Sequence, residues 1–254
     1  MKPIQVLLAA LLCIAACGTH SRTLDEIKRD GKIIIATEGA YPPFNYFQGP
    51  KLVGFEVELG DAIAKKMGLA VEWKSLSFDA LLAGLRQDRW DVVLASFAVT
   101  DERAKAVTFT APHYCSGGVI VSMDPAIKSA DSLRDRVVAV QTGSTYLENV
   151  KKVPGVKEVK NFPQDTDARS ALVNGRVDAW ISDLFVVKAA MLSNPGAGLK
   201  MGRFLFVEKI SAAIKKGNPT LAAAYDAALA EMMADGSYKA LSEKYFKGDV
   251  RCLY

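Results

Sequence analysis

Histidine is almost missing from this chain: 254 residues contain two, His20 and His113. A catalytic histidine triad or a metal site built from several imidazoles therefore has little to draw on, and neither a metal nor a cofactor is expected. Beyond one N-terminal stretch, long apolar runs are missing as well, so nothing later in the chain reads as a membrane span. No G-x-x-x-x-G-K loop occurs, which excludes nucleotide binding of that type. Lys and Arg (32) barely outnumber Asp and Glu (28) and are scattered among them, without the basic stripe of a nucleic-acid binder. Internal repeats, low-complexity tracts and charge blocks are absent too. What the chain does have is a hydrophobic fraction of 50%, which excludes a disordered polymer and is ample for two modest cores.

Residues 4–16 form the one apolar stretch, behind a single Lys2. It is short for a bilayer span and the right length for a signal-peptide core, so residues 1–16 are read as a signal peptide. Losing Lys2 with it lowers the formal charge by one, from +4 to +3. Ile14-Ala15-Ala16-Cys17-Gly18 resembles a bacterial lipobox, which implies lipidation of Cys17 and a polar leader, residues 17–22, that tethers the mature protein outside the cytoplasm. The alternative is an ordinary secretory signal cut near Ala16. With Cys13 in the signal and Cys17 reserved for lipid, Cys115 and Cys252 remain, either as a pair in an oxidising compartment or as two separate buried thiols.

The mature chain alternates short apolar runs with helical patterns. Residues 33–36 read as a strand; Phe55, Leu59, Ala62, Ile63 and Met67 then share one helical face, with Glu56, Glu58, Asp61, Lys65 and Lys66 largely off it and Gly68 as the C-cap. A strand at 71–73, a helix at 78–85 with Ser77 as N-cap and a strand at 91–95 complete a first βαβ unit. The pattern restarts after Gly117-Gly118 with strands at 119–121 and 137–140, a helix opening at Ser144, a strand at 177–181 and a helix from Leu184. Extended segments at 204–207 and 211–214 precede a helix from Pro219, at the tolerant N1 position, to Asp235, and a last short helix follows Gly236.

Four ordered blocks carry a resemblance: Gly54-Phe55-Glu56-Val57-Glu58-Leu59 after Tyr41-Pro42-Pro43-Phe44; Thr100-Asp101-Glu102-Arg103; Gln141-Thr142-Gly143-Ser144-Thr145; and Gly175-Arg176-Val177-Asp178-Ala179 ahead of Asp183. In that order and spacing they resemble the bacterial extracellular solute-binding proteins that serve polar amino-acid ABC transporters. The resemblance implies an α/β, two-lobed periplasmic-binding-protein fold of type II, with the chain crossing twice between lobes. Residues 23–114 plus 208–254 would form lobe one, residues 115–207 lobe two, and the crossings a hinge behind a ligand cleft. It further implies a monomer that receives a free L-amino acid and delivers it to an ABC transporter permease.

The resemblance also implies a ligand set. Arg103 matches the arginine that takes the α-carboxylate, a task suited to the planar guanidinium, although a solvated arginine behind a Thr100 N-cap would look the same. Ser96 and Ala98 belong to the same block. Ser144 and Thr145 open a helix whose free N–H groups would complete the carboxylate cradle. Asp183 matches the carboxylate for the α-ammonium, with a plain N-cap ahead of Leu184 as the alternative. Tyr41 and Phe78 match aromatic walls. Glu38 stands where members that bind cationic amino acids often carry an acid, which implies Arg, Lys or ornithine. Three positions depart from the pattern: Ala95 and Ala98 replace common hydroxyl residues, removing an acceptor for the α-ammonium, and Tyr146 stands where a Gln is common. Two other functions remain open on the same fold: a sensor that reports occupancy to a membrane partner, and an enzyme like cyclohexadienyl dehydratase, with Glu38 as general acid.

Overall fold

The computed structural model describes residues 21–252. The signal-peptide reading, Cys13, Cys17 and His20 lie outside the described residues. Two five-stranded sheets organise the chain. The first runs Ala70–Ser75, Lys32–Thr37, Val92–Val93, Ala213–Lys215 and Val107–Phe109 in spatial order; the second runs Glu158–Phe162, Val137–Gln141, Ala179–Asp183, Gly118–Ser122 and Lys200–Phe204. Each has three parallel strands followed by antiparallel ones. The central parallel strands are covered on both faces, which explains their unbroken aliphatic sequences: Ile33, Ile35 and Ala36 in one sheet, Val138, Ala139 and Val140 in the other, are all buried.

Strand Ala213–Lys215 shows that the chain returns to the first sheet. It follows the last strand of the second sheet in sequence yet pairs with Val92–Val93 and Val107–Phe109 of the first. Between the sheets the two crossings pair with each other, as Tyr114–Ser116 and Glu208–Ile210 run antiparallel with Glu208 opposite Ser116 and Lys209 opposite Cys115. Helices Pro219–Asp235 and Ser237–Phe246 then pack back on the first lobe, where Phe55 meets Tyr238 and Phe246 edge-on, at ring separations of 5.9 and 5.0 Å.

A disulfide joins Cys115, in the crossing strand, to Cys252, and the Cys115 N–H donates to Val250 O nearby. The bond ties the end of the described chain to the hinge across a sequence separation of 137 residues. Closing so long a loop restricts the unfolded chain, so reduction should lower the unfolding free energy by about 2–4 kcal/mol. Denaturant midpoints with and without reductant would check this, and unchanged midpoints would mean that the bond contributes nothing to stability.

Several elements differ from the sequence reading. Glu56 is fully buried rather than off the packed face of helix Phe55–Lys66. One of the segments that cover it is a three-stranded meander, Ala40–Tyr41, Asn45–Gln48 and Lys51–Val53, whose two- to four-residue strands are too short to show a period. The helix C-cap is Met67, with Gly68 one residue beyond it, and Ser77 precedes helix Phe78–Arg86 without a side-chain cap bond. The strand expected at 177–181 runs two residues later, Ala179–Asp183, which makes Asp183 its last residue. At Gly54 φ is +131° and a Cβ would sit 2.2 Å from Phe44 O, so only glycine lets the meander close on the helix N-terminus.

Candidate functional site

Loop 95–98, at the end of strand Val92–Val93, is built around Glu56. The Glu56 carboxylate accepts from Ser96 N (2.7 Å), Ser96 Oγ (3.0 Å) and Asn45 Nδ2 (2.8 Å), and meets His113 Nε2 at 3.0 Å. Two bonds to one residue hold Ser96 in the left-handed region, φ +53°, which a serine seldom adopts. Ser96 thus faces a buried carboxylate of its own lobe, and His113 is one of that carboxylate's partners.

Thr100 then caps helix Asp101–Ala106, its Oγ1 accepting from Arg103 N at 3.2 Å. The cap does not exclude a functional Arg103, whose guanidinium reaches from the helix to both lobes. Nη1 donates to Ala98 O at 2.8 Å, and Nη2 donates to Gly143 O of the second lobe at 3.0 Å. Its plane lies over Phe97, 4.8 Å from the ring centroid, and Phe97 stacks on Phe78 at 4.2 Å. Burial draws the guanidinium pKa down, while the Glu208 carboxylate and Tyr146 act against that shift. Both guanidinium bonds go to neutral carbonyls, which leaves a planar, desolvated cation beside the cleft.

Ser144 Oγ donates to Gln141 O and accepts from Leu147 N, capping helix Thr145–Val150 of the second lobe. The first N–H groups of such a helix have no acceptor within it and favour an anion, and Thr145 is its first residue. Thr145 Oγ1 donates to Glu208 Oε2 at 2.7 Å. Further polar side-chain contacts join the lobes: Gln141 Nε2 donates to Glu38 Oε1 (2.7 Å), Tyr41 Oη lies 3.1 Å from Tyr146 Oη, and Tyr41 Oη lies 3.4 Å from Ser182 Oγ. Tyr146 therefore narrows the cleft and stands against Tyr41 as a second aromatic wall.

Burial raises a group of carboxyls around the cleft. Glu38 is buried, and its pKa rises to about 8, chiefly through desolvation and then through the Asp165 carboxylate, against the hydrogen bond from Gln141. Burial likewise pushes Asp165 up to about 6, although Trp180 Nε1 donates to it at 2.9 Å. Asp183 goes up to about 7, again mainly through burial, and Glu208 moves upward for the same reason.

A cavity of about 10 Å³ remains between the lobes, room for about one water. Glu38, Tyr41, Phe78, Ser96, Ala98, Arg103, Ser144 and Thr145 line it, so eight of the nine residues read from the sequence are brought together. Asp183 is the ninth and does not line it. It is fully buried, Oδ1 accepts from Phe185 N at 2.6 Å as a helix cap, and Oδ2 has no partner. Gln141, Tyr146 and Glu208 line the cavity as well. Gln141 opens the block 141–145 with no chemical signal of its own, and Glu208 has none either, because an acid in a crossing strand is marked only by the pairing that folding creates.

The pattern of the bacterial extracellular solute-binding proteins, family 3, matches residues 33–248. The L-cystine-binding protein TcyJ of Escherichia coli K12 is 35% identical over 233 residues, covering 89% of this chain and 87% of that protein. Among solved structures, an ancestral arginine-binding protein bound to arginine superposes with a TM-score of 0.81 at 39% identity, covering 85% of this chain and 98% of that one. The ancestral amino acid-binding protein AncCDT-1, a precursor of cyclohexadienyl dehydratase, superposes with a TM-score of 0.81 at 31% identity, covering 88% of this chain and 99% of that one. The fold is thus that of the type II periplasmic binding proteins, and the chain belongs to the bacterial extracellular solute-binding proteins of family 3.

Proposed function

We propose that this protein is the substrate-binding component of an amino-acid ABC importer, and that it takes a cationic L-amino acid, arginine, lysine or ornithine, by hinge closure and hands it to a membrane permease. The observation that carries the specificity is the charge of the cavity lining: two carboxyls, Glu38 and Glu208, face a single guanidinium, Arg103. A zwitterion brings one positive group to such a site, whereas a cationic amino acid brings two. Arg103 and the N–H groups at Thr145 would hold the α-carboxylate, Tyr41 and Phe78 the aliphatic stem, and Glu38 the distal cation.

In the closed arrangement the lobes already hold each other through Glu38–Gln141 and Arg103–Gly143, and the space left is far below an amino acid's. A ligand must therefore enter an opened cleft and replace these contacts with its own, and closure is then a shift in population set by contacts made only when both lobes engage. The arginine-bound ancestral structure supports arginine, and an ancestral arginine-binding protein bound to glutamine keeps glutamine among the ligands to test. Cystine is the second reading, favoured by the name of the E. coli relative; against it, cystine carries two carboxylates and the cavity lining contains a single guanidinium. The precursor relation of AncCDT-1 gives the enzyme reading its place, and a sensor role would need a partner in trans, since no helix among the described residues is long and apolar enough to cross a membrane. We place the protein outside the cytoplasm as a monomer, anchored through Cys17.

A thermal-shift panel of the standard amino acids, ornithine, cystine and a cyclohexadienyl acid tests this. Arginine, lysine or ornithine should raise the melting temperature most, and the cyclohexadienyl acid should show no turnover by absorbance. Stabilisation by cystine alone would replace the ligand, and turnover would replace the function.

A further inference from the structure

The departures at Ala95 and Ala98 leave the α-ammonium short of acceptors on the first lobe, and Asp183 stands outside the cavity lining. Glu208 fills that gap. It belongs to the crossing strand Glu208–Ile210, whose Ile210 bridges Ala98, which sets Glu208 two residues along the strand from Ala98's partner. It lines the small cavity together with Ala98, Arg103 and Thr145. One carboxylate oxygen, Oε2, accepts from Thr145 Oγ1 of the second lobe at 2.7 Å. Ala98, Thr145 and Glu208 also line the groove of about 670 Å³ that adjoins the cavity. A half-buried carboxylate on the hinge, adjacent to the guanidinium that would take the ligand's carboxylate, has the charge and the place to take its ammonium.

On the reading above that the cleft binds an amino acid, we infer that Glu208 is a ligand-contacting residue that accepts from the α-ammonium, replacing the hydroxyl that Ala98 lacks and linking ammonium recognition to closure through Thr145. The two acids then divide the work. Glu38 selects the distal cation, and Glu208 selects an amino acid over a plain carboxylic acid.

Two ligands separate the possibilities by calorimetry: arginine, and 5-guanidinopentanoate, which is arginine without its α-amine. They are titrated into the full-length protein, Glu208→Gln, Glu208→Asp, the double variant Ala98→Ser with Glu208→Gln, and Arg103→Ala. The glutamine variant should bind arginine on the order of a hundredfold more weakly while binding 5-guanidinopentanoate much as the parent does. The aspartate variant and the added Ala98→Ser hydroxyl should each restore part of the loss. Equal losses for both ligands would make Glu208 a structural residue of the hinge and overturn the inference. So would arginine binding to Glu208→Gln within about threefold of the parent while Arg103→Ala abolishes it. If the parent binds no cationic amino acid, the specificity reading fails by itself, and the same comparison made with the amino acid it does bind and that ligand's des-amino analogue still decides the role of Glu208.

Discussion

Arg103→Ala should lower the affinity for the bound amino acid by roughly two to four decades, about 3–5 kcal/mol, with little change in melting temperature. The ligand's carboxylate, once enclosed between the lobes, would lose its guanidinium partner, whereas in the unliganded protein the hydrogen bonds of Arg103 go to the Ala98 and Gly143 carbonyls. Arg103→Lys should recover only part of the loss, because an ammonium cannot make two parallel bonds to a carboxylate or lie flat over Phe97. Titration calorimetry of the three proteins measures both effects. A loss below about threefold for Arg103→Ala would remove the residue from the ligand set.

Glu38→Gln should change what is bound and how binding responds to pH. Its carboxyl, raised to about 8 from an ordinary 4.5 by burial and by Asp165, is protonated in the folded protein across a window where the unfolded chain has already ionised. Below about 4.5 both states hold the proton and the group leaves stability unchanged; between 4.5 and 8 the folded state binds the extra proton, so stability falls as pH rises, and above about 8 the whole penalty is present. Glu38→Gln should flatten that decline by a few kcal/mol in denaturant titrations. An arriving cation favours the ionised carboxylate and should therefore release a proton at neutral pH, visible as a heat that depends on the buffer's ionisation enthalpy. In Glu38→Gln that proton release should disappear and the preference for arginine over glutamine should shrink by roughly ten- to a hundredfold. Equal losses for both ligands would make Glu38 a structural partner of Gln141.

The parts of the site that the sequence exposes are those with local causes. Thr100 and Asp183 are weighed as caps because capping is a three-residue affair, and both side chains do cap, whereas Ser77, read the same way, makes no cap bond. The buried strands at Ile33 and Val138 are read from continuous aliphatic runs. What escapes is set by contacts distant in the chain. Glu56 looks like the polar side of a helix, and only Asn45, Ser96 and His113, arriving from three other segments, give it a buried place. Gln141 is turned toward Glu38 across more than a hundred residues of chain, and Glu208 acquires meaning only when two crossings pair. The double crossing itself came from the family resemblance, since two α/β units in sequence are equally compatible with a single linker.

The most direct test of the account is a calorimetric titration of arginine into the purified, ligand-stripped protein, run in two buffers of different ionisation enthalpy. The account predicts one tight site per chain with a proton released on binding near neutral pH. Absence of binding, or binding without proton release, would contradict a cleft in which clustered acids, Glu38 foremost, receive a cationic amino acid.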